Sequence, residues 1–141
     1  MKKIVAFSIS ALFLLSMISC TKSSTDSPGE VTPIVTQGEW VVSLFSERGI
    51  NETSDFSGFS YVFQSGGKLI VKKTGAVVKE GTWSENSSSK KLIIDLGIKD
   101  DTNKPQGELT DDWIITSKND SKISLTDDNS SSAEILEFTK K

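Results

Sequence analysis

The stretch Gly38-Glu39-Trp40-Val41-Val42-Ser43-Leu44-Phe45 marks the point at which this chain becomes a folded domain. Side chains in a strand alternate between two faces, so we expect every second residue from Trp40 to Leu44 on one face and the others on the opposite face. Gly38 gives the backbone the freedom to turn into the strand. The stretch therefore predicts the first strand of a β-barrel, and its tryptophan could either line a ligand pocket or fill a core.

Seven further runs with strand character follow at short intervals, separated by turn residues. They lie at 59–64, 68–73, 77–84, 91–98, 111–117, 122–126 and 133–139. The clearest is the fifth, in which Leu92, Ile94, Leu96 and Ile98 recur at every second position. Thr53 could cap one short helical turn before the second run. Eight sequential strands must hide their edges, which predicts an all-β domain, an eight-stranded antiparallel up-and-down barrel or a bent sandwich.

The N-terminal residues 1–19 are typical of a bacterial lipoprotein signal peptide. Two lysines precede an apolar run from Ile4 to Ile18 that is too short to span a bilayer. The run ends in Leu15-Ser16-Met17-Ile18-Ser19-Cys20, which resembles a lipobox. Cys20 is the one cysteine in the chain, which excludes an intramolecular disulfide. We therefore expect lipidation at Cys20 and attachment to a membrane through the acyl chains.

Residues 20–37 are rich in Ser, Thr and Pro, which predicts a flexible linker between the lipidated cysteine and a domain at 38–141. Without the two lysines of the leader, 14 basic residues face 19 acidic ones, a net charge near −5. That charge disfavours nucleic acid as a partner. No acidic run follows Cys20. We therefore expect a lipid-anchored protein of the bacterial envelope, at the outer membrane, with the leaflet left open.

Several short motifs together resemble the small lipocalin-like domains of bacterial lipoproteins. They are Gly38-Glu39-Trp40, Thr53 with Phe56, the aromatic strand Phe59–Phe63, Gly81-Thr82-Trp83, Asp112-Trp113 and Leu136 with Phe138. Lys140 and Lys141 stand where many lipocalins place an arginine over the first tryptophan. The chain carries no Thr-Asp-Tyr-like second lipocalin motif. The resemblance implies a barrel or strongly bent sandwich with one open end, suited to a small apolar ligand.

The residues required for common catalytic mechanisms are missing. The chain contains no histidine, and its one thiol is expected to carry lipid, so Ser/His/Asp catalysis, Cys/His catalysis and ordinary zinc sites lack their parts. The paired carboxylates Asp100-Asp101, Asp111-Asp112 and Asp127-Asp128 lie in turns or at a strand start, where neighbouring side chains point apart. Asp127-Asp128-Asn129 lacks the pattern of a calcium loop. We expect no enzyme, no cofactor and no metal.

The remaining functional candidates are large aromatic side chains. They are Trp40, Phe59, Tyr61, Phe63, Trp83 and Trp113. If these line one cavity, they would bind a small apolar molecule; if they fill the core, the domain has no such site. The first possibility predicts a non-catalytic, membrane-anchored binding protein. The alternative is an accessory subunit of an envelope complex, with a filled barrel and an exposed surface for another protein.

Overall fold

A computed structural model describes residues 30–129 and 131–141, which are folded almost entirely into strands. The strands are β1 Trp40–Glu47, β2 Ile50–Asn51, β3 Phe59–Phe63, β4 Lys68–Lys73, β5 Ala76–Asn86, β6 Lys91–Asp95, β7 Asp111–Asn119, β8 Lys122–Asp127 and β9 Ile135–Lys140. A short helix, α1, spans Thr32–Val35, and 3₁₀ turns span Thr53–Phe56, Asp101–Asn103 and Gln106–Leu109. Within the described ranges, no helix is long and apolar enough to cross a membrane.

The strands form one closed antiparallel barrel. Each strand from β3 to β8 pairs with the next in sequence, β1 pairs with β3, and β9 returns to pair with β1. The eight predicted runs correspond to the eight strands of the barrel, and the predicted all-β, up-and-down architecture is confirmed. β2 is an addition of two residues that pairs with the end of β1, where Ser46 lies opposite Asn51.

Because the strands alternate in direction, the connections divide between two ends of the barrel. We call the end where the chain enters β1 and leaves β9 the entry end; it also carries the turns β3–β4, β5–β6 and β7–β8. The far end carries the connections 48–58, 74–75, 96–110 and 128–134. The far end therefore has the two longest connections, while the entry end has tight turns.

The first strand contains a β-bulge that the sequence pattern did not predict. Val42 lies opposite Phe138, but the next partner pair is Leu44 with Glu137, so Ser43 is the extra residue. A bulge shifts the side-chain alternation by one residue. As a result Phe45 is fully buried and Leu44 is half-buried, and the prediction that Leu44 shares the inner face of Trp40 was wrong.

The entry end is closed by the segment just before β1. The Glu85 carboxylate accepts hydrogen bonds from the backbone N–H groups of Val31 (2.6 Å) and Thr32 (2.9 Å), at the start of α1. Val31 and Val35 are completely buried in the core. The predicted linker ran to residue 37, whereas the structure includes residues 31–35 in the domain, because two valines here complete the core. The other predicted linker residues, up to 29, and Cys20 lie outside the described residues.

Three lysines reinforce the region where the barrel closes. Lys140 Nζ lies 5.2 Å from the centre of the Trp40 ring, the arrangement of a cation–π contact. Glu39, directly before β1, pairs with Lys141 (2.6 Å) and Lys72 (2.9 Å). Hydrogen bonds from Lys141, Ser60 and Lys72 hold the pKa of the Glu39 carboxyl at about 2. The ionised carboxylate therefore links Lys141 to Lys72 of β4. This link lies next to the short ladder between β1 and β3, in which Trp40 pairs with Tyr61.

The first prediction concerns Gly81, where β5 and the end of β6 approach closely. A Cβ at this position would overlap the backbone oxygen of Asp95 and lie 2.8 Å from Leu96 Cδ2. Gly81→Ala should lower the free energy of unfolding by about 1–3 kcal/mol, the usual cost of overpacking, measured by urea denaturation. Gly66→Ala is the matched control, because apart from its chain neighbours no described residue has an atom within 4 Å of the added Cβ. Equal stabilities of the two variants would contradict this account.

Candidate functional site

The barrel interior holds the aromatic residues proposed to line a ligand site. Five of the six, namely Trp40, Tyr61, Phe63, Trp83 and Trp113, are buried in the hydrophobic core. Phe59 is half-buried and packs against the core, with Lys73 Nζ 4.6 Å from the centre of its ring. The Phe138 ring meets Tyr61 at 5.4 Å and Phe63 at 5.6 Å, both edge to face. The predicted residues therefore do come together, and they contact one another.

Each of the three tryptophans also uses its polar atom inside the protein. The indole N–H of Trp40 donates to the Val35 carbonyl at 2.8 Å. Trp83 donates to Gln64 O and Trp113 donates to Leu109 O, both at 2.9 Å. A buried indole N–H needs an acceptor, and a neighbouring backbone oxygen supplies it in all three cases. The tryptophans thus fix the segments that close the barrel and leave no indole donor for a ligand.

The exposure of the interior side chains shows how tightly they pack. Trp40, Tyr61, Phe63, Trp113 and Phe138 are each 0% exposed. A side chain with no exposed area borders no space large enough for a water molecule, either outside the barrel or within it. The interior of an eight-stranded barrel is either filled by its own side chains or holds one small ligand. These side chains therefore form a packed core.

One polar pair lies within this apolar interior. The Tyr61 hydroxyl donates to Gln106 Oε1 at 3.0 Å, and burial raises the pKa of Tyr61. Gln106 belongs to the 3₁₀ turn Gln106–Leu109, whose four residues are all buried at the far end. Its Nε2 is buried without a hydrogen-bond acceptor among the described residues. A buried donor without a partner is uncommon and destabilising, so this amide is suited to an additional acceptor atom.

A cluster of charged residues surrounds Lys99 at the far end. Lys99 Nζ contacts both Glu134 carboxylate oxygens, at 2.8 and 3.0 Å, and lies 3.9 Å from carboxylate oxygens of Glu108 and Asp111. The Glu134 side chain is only 3% exposed. Burial raises the pKa of Glu134, and burial together with the nearby Asp127 raises the pKa of Asp111. Burial opposes the charge of Lys99, but these carboxylates outweigh it and raise the lysine pKa.

A second lysine, Lys91, contacts acidic residues at the start of β7 and just after β8. Carboxylate oxygens of Asp111, Asp127 and Asp128 lie within 4.8 Å of one another, a spacing that could hold a cation. Lys91 Nζ lies 2.5 Å from Asp128 and 3.6 Å from Asp112. Asp111 and Asp112 therefore contact different lysines, as expected for neighbours on opposite faces of a strand. The ammonium groups of Lys91 and Lys99 supply the positive charge that these carboxylates need.

Sequence reasoning missed three members of this cluster. Lys99 and Glu108 lie in the connection 96–110 and Glu134 lies in the connection 128–134, and the fold brings the two connections together at the far end. The burial of Glu134 could have been predicted, because Glu134, Leu136 and Phe138 recur at every second position and therefore face the same side of β9. Nothing in the local sequence distinguishes Lys99 from the exposed lysines of other loops. Its role depends on long-range packing.

Comparison with known proteins supports the architecture. No protein-family model matches the chain, and no curated protein sequence matches it. Among solved structures, the chain is similar to a DUF4847 family protein from Bacteroides vulgatus, with a TM-score of 0.59 and 15% sequence identity. The match covers 79% of this chain and 98% of the other. At this identity the similarity establishes a shared β-barrel fold.

The second prediction concerns the counter-charge at Lys99. Lys99→Met should destabilise the protein by about 3–5 kcal/mol at neutral pH, because it leaves Glu134 as an unpaired buried carboxylate. Part of this loss should be recovered as the pH falls through the further raised pKa of Glu134, because protonation removes the buried charge. Urea denaturation between pH 4 and pH 8 measures both effects.

Lys104→Met is the matched control, since Lys104 is half exposed and pairs at 3.5 Å with Glu108 and at 3.3 Å with the exposed Asp101. Because the Lys104 side chain is itself half exposed to water and Glu108 keeps Lys99 as a second cation, the loss should be at most about 1 kcal/mol, and this variant should unfold much like the wild type. A Lys99→Met variant with the same stability as Lys104→Met at every pH would show that Glu134 is not held by Lys99.

Proposed function

We propose that this protein is a non-catalytic, membrane-anchored β-barrel that binds another protein of the bacterial envelope through its outer surface. The observation that carries the proposal is the packed interior, in which the three indole N–H groups donate to backbone carbonyls and the central aromatic rings are 0% exposed. A barrel filled by its own side chains has no room for a drug-sized ligand. A partner would then bind to the outer surface of the barrel.

The sequence supports the anchor in this proposal. Residues 1–19 have the pattern of a lipoprotein signal peptide, and Cys20 stands at the lipobox position. The first described residues meet the barrel at its entry end, where Lys118 Nζ donates to the Glu30 carbonyl. A lipid chain at Cys20 would therefore tether the barrel from the entry end and leave the far end directed away from the membrane.

A small apolar ligand is the second candidate, and one observation favours it. Gln106 Nε2 is a buried donor that lacks an acceptor among the described residues, and it lies beside the Tyr61 hydroxyl. A ligand oxygen could supply that acceptor if the 3₁₀ turn Gln106–Leu109 moved outward. The movement would break the hydrogen bond from Trp113 to Leu109, and it would expose four buried residues. The packed arrangement therefore favours the protein partner.

The third prediction separates these two candidates. Titration of the purified chain with a brominated fatty acid should give no saturable quenching of tryptophan fluorescence, because the filled barrel keeps the quencher away from Trp40 and Trp113. Gln106→Leu is a matched variant that removes the unpaired amide and keeps a similar side-chain volume. Saturable quenching in the wild type that Gln106→Leu abolishes would overturn the proposed filled barrel and establish a ligand site.

The fourth prediction tests the anchor separately. The wild-type chain should sediment with membranes from the cells that produce it, and Cys20→Ala should move it to the soluble fraction, since no acyl chain can then be attached. Ser16→Ala is the matched control, because it changes the same signal region and leaves the acceptor sulfur. A Cys20→Ala chain that is cleaved and still sediments with membranes would exclude lipidation as the anchor.

A further inference from the structure

The exposed apolar residues of this barrel are confined to one end. Among the described residues, the large hydrophobic side chains that are well exposed are Ile50, Val77, Val78, Ile98 and Ile135, with exposed fractions from 43% to 74%. Ile50 and Ile98 lie within far-end connections, Ile135 directly follows one, and the two valines lie two and three residues after another. Large exposed hydrophobic residues collected in one region are typical of interaction surfaces.

These residues form two spots on the far-end rim. On one side Ser46 of β1 lies between Asn51 of β2 and Ile135 of β9, which brings Ile50 and Ile135 to the same part of the rim. On the other side Lys79 Nζ donates to Asn103 and lies next to Gly97, so Val77 and Val78 lie near Ile98. The two spots flank the charged cluster around Lys99.

The far end also carries most of the net charge. Residues 30–141 contain 13 basic and 18 acidic residues, a net charge of −5. The four far-end connections alone contain seven acidic and three basic residues, a net charge of −4. The acidic members are Glu52, Asp55, Asp100, Asp101, Glu108, Asp128 and Glu134. Such a surface repels anionic lipid head groups and attracts a cationic partner.

We propose that the far-end rim is the docking surface for a protein whose contact face combines Lys or Arg with apolar side chains. The inference rests on the proposed function and adds where the partner binds and what its surface must contain. Acidic residues would steer a basic face toward the rim, and Ile50 and Ile98 would supply the apolar contacts that stabilise the complex. The entry end, where the chain comes in, would remain directed at the membrane.

The fifth prediction tests this surface by photo-cross-linking in the cells that produce the full chain. A benzoylphenylalanine probe replaces Ile98 or Ile50 at the far end, Ser84 on the outer wall, or Asp120 in the β7–β8 turn of the entry end. All four positions are exposed, so the probes should not disturb the fold. The expected result is one partner protein cross-linked from Ile98 and from Ile50, with little or no product from Ser84 and Asp120.

A charge variant makes the test specific. Asp55→Lys with Asp101→Lys should lower cross-linking from Ile98 at least tenfold, whereas Asp120→Lys with Glu80→Lys changes the net charge equally and should leave it unchanged. Mass spectrometry of the product should place the cross-link in a Lys- or Arg-containing segment of the partner. Unaltered unfolding midpoints of the purified variants would exclude a folding defect.

The remaining outcomes overturn the inference in distinguishable ways. A partner captured mainly from Ser84 or Asp120 would refute the far-end surface while leaving a protein-binding function intact. Cross-linking from Ile98 that survives the Asp55→Lys and Asp101→Lys changes, or that maps to an acidic segment, would refute a cationic partner. Absence of a specific product from all four positions, together with saturable binding of the brominated fatty acid, would refute both the surface and the proposed function.

Discussion

The hydrogen bond from the Trp40 indole N–H to the Val35 carbonyl holds the entry end of the barrel closed. It joins the first strand to the segment that covers the entry end, and the same ring lies under Lys140 at the end of the last strand. A tryptophan with its nitrogen inside a core must find an acceptor there. Here the acceptor is backbone from a segment that would otherwise belong to the linker. The segment that covers the entry end therefore also supplies the acceptor for the indole N–H.

The eight barrel strands could be predicted from the sequence because alternation and turn residues are local signals. The bulge at Ser43 could not, since it depends on how β1 meets β9, and it changes which of Leu44 and Phe45 enters the core. Thr53 begins the expected short turn, but its side chain does not cap that turn; its Oγ1 instead accepts a hydrogen bond from the Phe45 N–H. Ile98 continues the alternation of the buried Leu92, Ile94 and Leu96, but it is 74% exposed because β6 ends at Asp95 and Gly97 adopts a positive φ of 94°.

The candidate ligand residues illustrate a different limit of sequence reasoning. Period-two alternation correctly places Tyr61 and Phe63 on one face, but it cannot distinguish a face that lines a cavity from one that fills a core. That distinction depends on which side chains the other strands supply, here the ring of Phe138 from β9, and on the segments that cover the ends. The ion pair between Glu134 and Lys99 could not be predicted either, because the two residues are 35 positions apart in the sequence and only the folded chain brings them together.

The pairing of β1 with β9 also determines when the fold can be completed. Val42 lies opposite Phe138, so the two strands that close the barrel are 96 residues apart in sequence. Closing a loop of that length carries an entropic cost before any contact repays it, and folds with such long-range pairing form slowly. A chain released from its N-terminus onward must keep β1 and its tryptophan without their partner until the final residues emerge. The barrel therefore stays open along the edge of β1 that pairs with β9 until the last strand is available.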